Sequence, residues 1–592
     1  MARPQRTRIG FSRWQPGVVV VSLVALLVSG CASAARPVDQ GNGATQQAAP
    51  RQAKTLRIGT TREPVQGITV FRGTGSGDMN PAVTFHSTLT MHDPQGALIP
   101  RLADGIPSIE NGDWVVDPDG RMRLTWRLRP NVRWHDGSPL SVDDFVLGLK
   151  IAADPEIPIA KGPWATNVDS IERADDQTMV VTWKRPYFLA NIGGPDEVTP
   201  VPNHILAEPY ESGMRANLDS HPYWTREFVG LGPYRLGAWS PGSTMEALAN
   251  DDYFLGRPKI DRLQFRFITD TNALVAALLA GEIDYIPIGA LKVDQLASLK
   301  EQWEATGAGP LIRSSDGLRT LLLQYRDPTM PWVTAYPVRQ ALLESLDRQA
   351  LVDTLQHGQT TIGHTIPTPD DPIYGMVEQR GLKKYTYDPR HAQELLGQAG
   401  WTKGGDGRYR NAAGQPFPFE IRTVVTAPET QQQIVAIADL YKAAGFDSTP
   451  FGIPNTTVGA ARSELRAKAP GSFDNSLRDD PESLSDFLSS QIATEANGWR
   501  GRNVWGYSDA SFDQTYLRYQ ETLAVAPRQA MLADMLKRAA DELIFLPLFY
   551  YPGTTNQAVR KGLTGPTGVK SVFRSDAWNV EAWDLEAGGG RQ

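Results

Sequence analysis

The stretch VGLGPYRLGAWSPGSTMEALANDDYFLGRPKIDRLQFRFITDTNALVAALLAGEIDYI, residues 229–286, changes its apolar period partway along. In IDRLQFRFI (260–268) apolar and polar residues alternate, the pattern of a half-buried strand. In DTNALVAALLAGEIDYI (270–286) the apolar residues recur at helical spacing. A strand feeding a helix is the repeating unit of α/β folds.

The same two periods recur to either side. Strand-like alternation marks TLRIGTTREP (55–64), RMRLTWRLRP (121–130), TMVVTWKRP (178–186) and FPFEIRTVV (417–425). Helical spacing marks PVRQALLESLDRQALVDTLQHG (337–358), DPRHAQELLGQAGW (388–401) and APETQQQIVAIADLYKAAGF (427–446). Two of these helices run into a glycine followed by an aromatic residue, Gly400-Trp401 and Gly445-Phe446, which predicts a left-handed C-terminal cap at each. His135-Asp136-Gly137-Ser138 is turn chemistry, and Ser141, three residues before Asp144, is placed to cap a helix carrying Phe145, Leu147 and Leu149. Strands alternating with helices over such a length predict several α/β units.

The N-terminal region obeys other rules. Arg3, Arg6, Arg8 and Arg13 form a positive segment, and residues 18–28 an apolar run broken only by Ser22. That run is too short for a bilayer of about 30 Å, which needs ~20 residues, so residues 1–30 read as an export signal. Val28-Ser29-Gly30-Cys31 resembles a bacterial lipobox, which implies that Cys31 is lipidated and becomes the mature N-terminus. Two or three acyl chains hold a protein at a membrane where one binds only marginally. Residues 31–54 are rich in Ala, Gln, Gly and Pro and read as a flexible linker. With Cys31 the only cysteine in 592 residues, no disulfide framework forms, and stability has to come from core size. The formal charge is −7, more negative still without the signal's arginines, which argues against nucleic acid as a partner.

Five segments together resemble a known family. They are LTWRLRPNVRWHDGSPLSVDDFVLGLK (124–150), the opening stretch at 229–286, VRQALLESLDRQALVD (338–353), YTYDPRHAQELLGQAGW (385–401) and FLPLFYY (545–551). In this order they resemble the extracellular solute-binding proteins of family 5, the peptide- and nickel-type substrate-binding lipoproteins of ABC transporters, over residues 55–565. The resemblance implies an α/β fold of the periplasmic-binding-protein-like type II class (cluster C), with two closing lobes plus an extra lobe, hinge-connected. Lobe I is expected over 55–75, 225–305 and 556–592, lobe II over 76–224 and lobe III over 306–555. Gly232 and Pro233 are expected to set an interdomain crossover. Arg339, Asp347 and Arg348 read more readily as an ion pair and helix cap than as ligand contacts.

The solute site is expected in the cleft between lobes I and III. The resemblance points to the loop with Glu63, the glycine-rich loop 72–80, the segment GSFDNSLRDDPESLSDFL (471–488) and the pair Tyr550-Tyr551. In peptide-binding members a strand beginning Phe-Asp leads through Gly-Trp to an aspartate that pairs with the peptide's ammonium. Here Phe473 and Asp474 match its start and the Gly-Trp is missing, leaving Asp479, with Asp480 behind it, as the ammonium acceptor. An Asp-Asp-Pro turn before a helix is the competing reading. Arg478 is a candidate partner for a carboxylate, and Trp499 and Trp505 are candidate pocket walls, with core packing the alternative for both.

An enzyme is not the expectation. None of the eight histidines sits in an HExxH pattern, there is no Gly-x-Ser-x-Gly, and GTGSGD (73–78) lacks the Gly-Lys-Ser/Thr of a phosphate-binding loop. No metal and no cofactor are assigned. The reading is a monomeric substrate-binding lipoprotein on the extracytoplasmic face of a bacterial membrane, periplasmic if an outer membrane is present. It would take oligopeptides or dipeptides to permease and ATPase subunits carried on separate chains. Alternatives are a nickel, haem or other solute carrier on the same fold, and a regulatory lipoprotein without transport.

Overall fold

The computed structural model describes residues 53–586 apart from 65–80, 155, 158–162, 195–197, 213–217, 219, 314–316, 427, 479–480, 500, 552–555 and 569–574. The signal, Cys31, the linker up to Gln52, the glycine-rich loop, Asp479 and Asp480 lie outside the described residues.

Three sheets carry the architecture. A seven-stranded sheet orders its strands Leu311–Ile312, Gln557–Val559, Tyr285–Ile286, Thr55–Thr60, Arg262–Phe267, Thr244–Ala249 and Tyr234–Ser240. A four-stranded sheet is built from Trp114–Val116, Met122–Arg127, Thr178–Trp183 and Val168–Arg173. A five-stranded sheet orders Asp447–Pro454, Pro418–Val425, Ser472–Arg478, Gly317–Leu323 and Phe545–Tyr550. Leu311–Ile312 pairs with Gln557–Val559 in the seven-stranded sheet, so the passage to the five-stranded sheet falls after Ile312 and not at the expected 306.

The cores divide unevenly among the sheets. One continuous apolar cluster joins Leu56, Ile58 and Leu263 of the seven-stranded sheet to Leu124, Trp126 and Val181 of the four-stranded sheet. The five-stranded sheet has separate clusters on its two faces. Leu318, Leu322, Phe473 and Leu477 lie on one, and Leu321, Leu323, Phe419 and Ile421 on the other. This is the period-2 alternation that a sheet covered on both sides requires. The first two sheets therefore share one core and the third has its own.

Local chemistry places the elements. The helix Val142–Ala153 is anchored by Asp144, whose carboxylate accepts from the Ser141 N–H at 2.8 Å, the Asn203 N–H at 2.8 Å and the Trp134 Nε1–H at 3.3 Å. Asp144, which is buried, is therefore the hub and Ser141 its partner. The expected single helical run at 337–358 is two helices, Tyr336–Glu344 and Arg348–Leu355, because Asp347 caps the second by accepting from the Ala350 N–H at 3.0 Å. Arg348 is buried and donates to the carbonyls of Gly363 and Pro547, and Arg339 donates to that of Trp332. These charges have structural roles.

Gly230 and Gly232 answer to a close approach of backbone. A Cβ at Gly230 would stand 1.9 Å from the Phe85 carbonyl oxygen, and one at Gly232 2.3 Å from the Phe85 carbonyl carbon. The His135 ring fixes both glycines. Its Nδ1 accepts from the Gly230 N–H at 3.1 Å and its Nε2 lies 3.0 Å from the Gly232 carbonyl.

Candidate cleft between two sheets

Strand polarity decides which edges of the two bodies meet. The chain passes from the seven- to the five-stranded sheet between Ile312 and Gly317 and returns between Tyr550 and Gln557. Gly317 pairs with Arg478 and Leu318 with Tyr550, so the passages enter and leave at the end of the sheet that carries Arg478. Pro418–Val425 runs parallel to both Ser472–Arg478 and Asp447–Pro454, which brings the carboxyl ends of all three there as well. In the seven-stranded sheet Thr55–Thr60 is parallel to Arg262–Phe267 and Tyr285–Ile286, and Ala558 pairs with Ile286. The returning chain thus enters at the carboxyl end of Thr55–Thr60. Both sheets turn the carboxyl ends of their parallel strands toward the passages, and ligands of open α/β sheets sit outside those ends.

Glu63 stands in the loop after Thr55–Thr60, at the cleft edge. Both of its carboxylate oxygens are engaged by its own lobe. Oε1 accepts from the Trp239 Nε1–H at 2.7 Å and Oε2 from the Gly242 N–H at 2.8 Å. The geometry makes it an anchor of the loop 61–64 on the hairpin 234–249.

Arg478, Tyr550 and Tyr551 come together at the facing edge of the five-stranded sheet. Tyr550 is buried and Tyr551 half-buried, with its N–H donating to the Gly317 carbonyl at 2.8 Å. The Arg319 guanidinium stands 5.8 Å from the Tyr551 ring centroid.

Trp499 and Trp505 are elsewhere. The Tyr325 N–H donates to the Trp505 carbonyl at 2.7 Å and the Gln324 N–H to the Gly471 carbonyl at 3.0 Å, which puts this loop beyond the start of Ser472–Arg478. Seven residues at about 3.3 Å each separate it from Arg478 by roughly 20 Å. Trp505 is 1% exposed and packs against Phe487, so it is core. Trp499 carries the Lys468 ammonium over its ring at 5.3 Å, at that same far end. Neither is a cleft wall. Arg326 fastens the loop by donating to the carbonyls of Val504 at 2.5 Å and Ala493 at 2.6 Å.

A buried network was not anticipated. Asp474, whose side chain is fully buried, accepts from Arg319 Nε at 2.8 Å and, through its second oxygen, from Arg319 Nη2. Gln433 Nε2 donates to both of its oxygens, at 2.8 and 2.9 Å. Burial pushes the Asp474 carboxyl up, and Arg319 with Gln433 and Thr423 pulls it back toward the ionised form. The network ties Gly317–Leu323, Ser472–Arg478 and the helix Pro428–Ala444 together under the cleft edge. Its signal in the sequence is Arg319 itself, one cation in the otherwise apolar strand GLRTLLL, which demands a buried counter-charge.

The family model described as bacterial extracellular solute-binding proteins, family 5 Middle, matches residues 98–495. The Oligopeptide-binding protein AppA of Bacillus subtilis (strain 168) is 23% identical over 585 residues, covering 96% of this chain and 97% of that protein. The crystal structure of NikZ from Campylobacter jejuni in complex with Ni(L-His) matches with a TM-score of 0.71 at 23% identity, covering 89% of this chain and 99% of NikZ. The oligopeptide binding protein from Thermus thermophilus complexed with pentapeptide matches with a TM-score of 0.72 at 21% identity, covering 91% and 97%. The structural likenesses are likenesses of fold.

Proposed function

Because the chain belongs to the bacterial extracellular solute-binding proteins of family 5, we propose that it captures oligopeptides or dipeptides between its lobes and delivers them to a membrane permease. Its fold is the periplasmic-binding-protein-like type II class of that family, two closing lobes and an extra lobe on a hinge. The observation that carries the reading is the facing of two sets of strand carboxyl ends across the passages between the sheets. An extended peptide laid there offers the same main-chain donors and acceptors whatever its side chains, which suits a carrier of broad tolerance.

We take lobe I to span 55–75, 225–312 and 556–592, lobe II 76–224 and lobe III 313–555, with the first passage set after Ile312 by the pairing of Leu311–Ile312 with Gln557–Val559. Asp479 remains the acceptor for the peptide's ammonium, with Asp480 behind it and Arg478 toward the carboxylate. The chain is anchored through Cys31 on the extracytoplasmic face and works as a monomer with separate permease and ATPase subunits. The chemistry is binding and release.

Thermal-shift scans of the chain, stripped of co-purified solute by an unfolding step, test this against pools of di- to octapeptides, nickel, nickel–histidine and haem. A solute at a hundred times its Kd adds about 2.7 kcal/mol, a shift of several degrees. A shift with peptides that Asp479→Asn removes supports both function and site. A shift that survives the substitution supports the function and rejects the site. A shift with nickel–histidine or haem alone replaces the peptide reading.

A further inference from the structure

The covalent passages are not the sole link between the two bodies. Phe188 follows the strand Thr178–Trp183 of the four-stranded sheet, yet its ring packs with the apolar cluster of the five-stranded lobe. Leu523, from that lobe, packs in return against the cluster shared by the other two sheets. The exchange is reciprocal, one partly buried side chain from each body packing against the other's core.

The geometry around Phe188 is specific. Its N–H donates to the Gln520 carbonyl at 3.0 Å, at the end of the helix Ala510–Glu521. Its ring meets that of Tyr519 edge-on, centroids 4.9 Å apart, and the Arg528 guanidinium lies over it at 4.3 Å. Arg528 is held in that position by donating to the carbonyls of Leu523 at 2.7 Å and Thr522 at 3.2 Å. Arg185 and Glu521 approach within 4.0 Å beside it, a half-exposed pair that adds little.

The contact lies to the cleft side of the five-stranded lobe. The helix Val525–Asp541 ends just before Phe545, and Phe545 pairs with Leu322 at the end of the sheet away from the cleft. Thirteen helical residues at about 1.5 Å each carry Arg528, at the end of its first turn, roughly 20 Å back toward the cleft level.

We propose that Phe188 is a clasp: a separable link, made of Phe188, Tyr519, Gln520 and Arg528, that holds the extra lobe against the five-stranded lobe and has to part before the cleft opens. Lobe II then governs how readily solute leaves. An edge-on ring pair and a stacked guanidinium suit this role, because each adds a modest, reversible increment. The clasp does not depend on which solute the cleft takes.

Hydrogen–deuterium exchange and small-angle X-ray scattering on the full chain without added solute test it, comparing the unsubstituted protein with Phe188→Ala and Arg528→Met. Both variants are expected to speed exchange at 184–190 and at 519–523 by about tenfold while Met122–Arg127 and Gly317–Leu323 stay protected, with a larger radius of gyration. Acceleration confined to the substituted segment overturns the clasp. So does loosening of both segments at an unchanged radius of gyration. If Phe188→Ala does not fold, Arg528→Met, which leaves Phe188 in its cluster, decides by the same readouts.

Discussion

Asp474 and Arg319 form a pair in which neither side chain tolerates loss of the other. Asp474→Ala leaves a guanidinium buried beside Tyr551 without its counter-charge and is expected to destabilise the chain by about 3–5 kcal/mol, read by urea denaturation. Replacing both residues with apolar ones is expected to recover most of that loss, because the desolvation cost disappears with the charges. Glu63 poses a different question, since its carboxylate faces the cleft edge but is engaged by Trp239 and Gly242. Glu63→Ala is expected to lower stability by about 1–2 kcal/mol in the absence of solute. If Glu63 instead grips the solute directly, affinity falls and the solute-free thermal transition stays where it was.

Among the elements, the passage 230–232 and the turn at His135 act as one unit that works only with a neutral ring. Burial pushes His86 down to about 3 and His135 down to about 4, the latter also repelled by Arg235 and attracted by Asp136. Unfolded histidines titrate near 6.5. Between these values the unfolded chain binds more protons than the folded one, so this stability is complete above about pH 6.5 and is lost as pH falls toward 4. Asp576 opposes the trend, because burial pushes it up to about 6 and its protonated form suits the fold. His364, pushed down to about 4 by burial and by Arg348 and Lys384, acts with the other two histidines, while Asp144 and Asp474, raised by burial, side with Asp576. The three large histidine shifts leave a net loss on acidification. Melting temperatures between pH 7 and 4.5 are expected to fall, and His135→Gln to flatten the slope; a flat profile in the unsubstituted protein contradicts this account.

Elements with local causes were legible in the sequence. The strands at 121–130, 178–186, 260–268 and 417–425 lie where period-2 alternation puts them. Gly400 and Gly445 take positive φ at helix ends, with Trp401 and Phe446 donating back to the carbonyls of Leu396 and Tyr441. What escaped was set by register between distant segments. Trp499 and Trp505 belong to the end of the five-stranded sheet away from the cleft because Tyr325 pairs with Trp505 across 180 residues, which no local pattern encodes. The Arg319–Asp474 pair, 155 residues apart, has the same origin.

At the scale of the whole molecule, a shared core makes one body of the seven- and four-stranded sheets, and separate cores make another of the five-stranded one. Two bodies on paired passages close by hinge motion, and a solute that touches both favours the closed state by its differential affinity. The central claim is therefore a change of shape on binding, and small-angle X-ray scattering on the full chain with and without a saturating peptide pool tests it most directly. The account predicts a smaller radius of gyration with peptide, and a smaller effect in Asp479→Asn. A peptide pool that raises the melting temperature yet leaves the radius of gyration unchanged would contradict it.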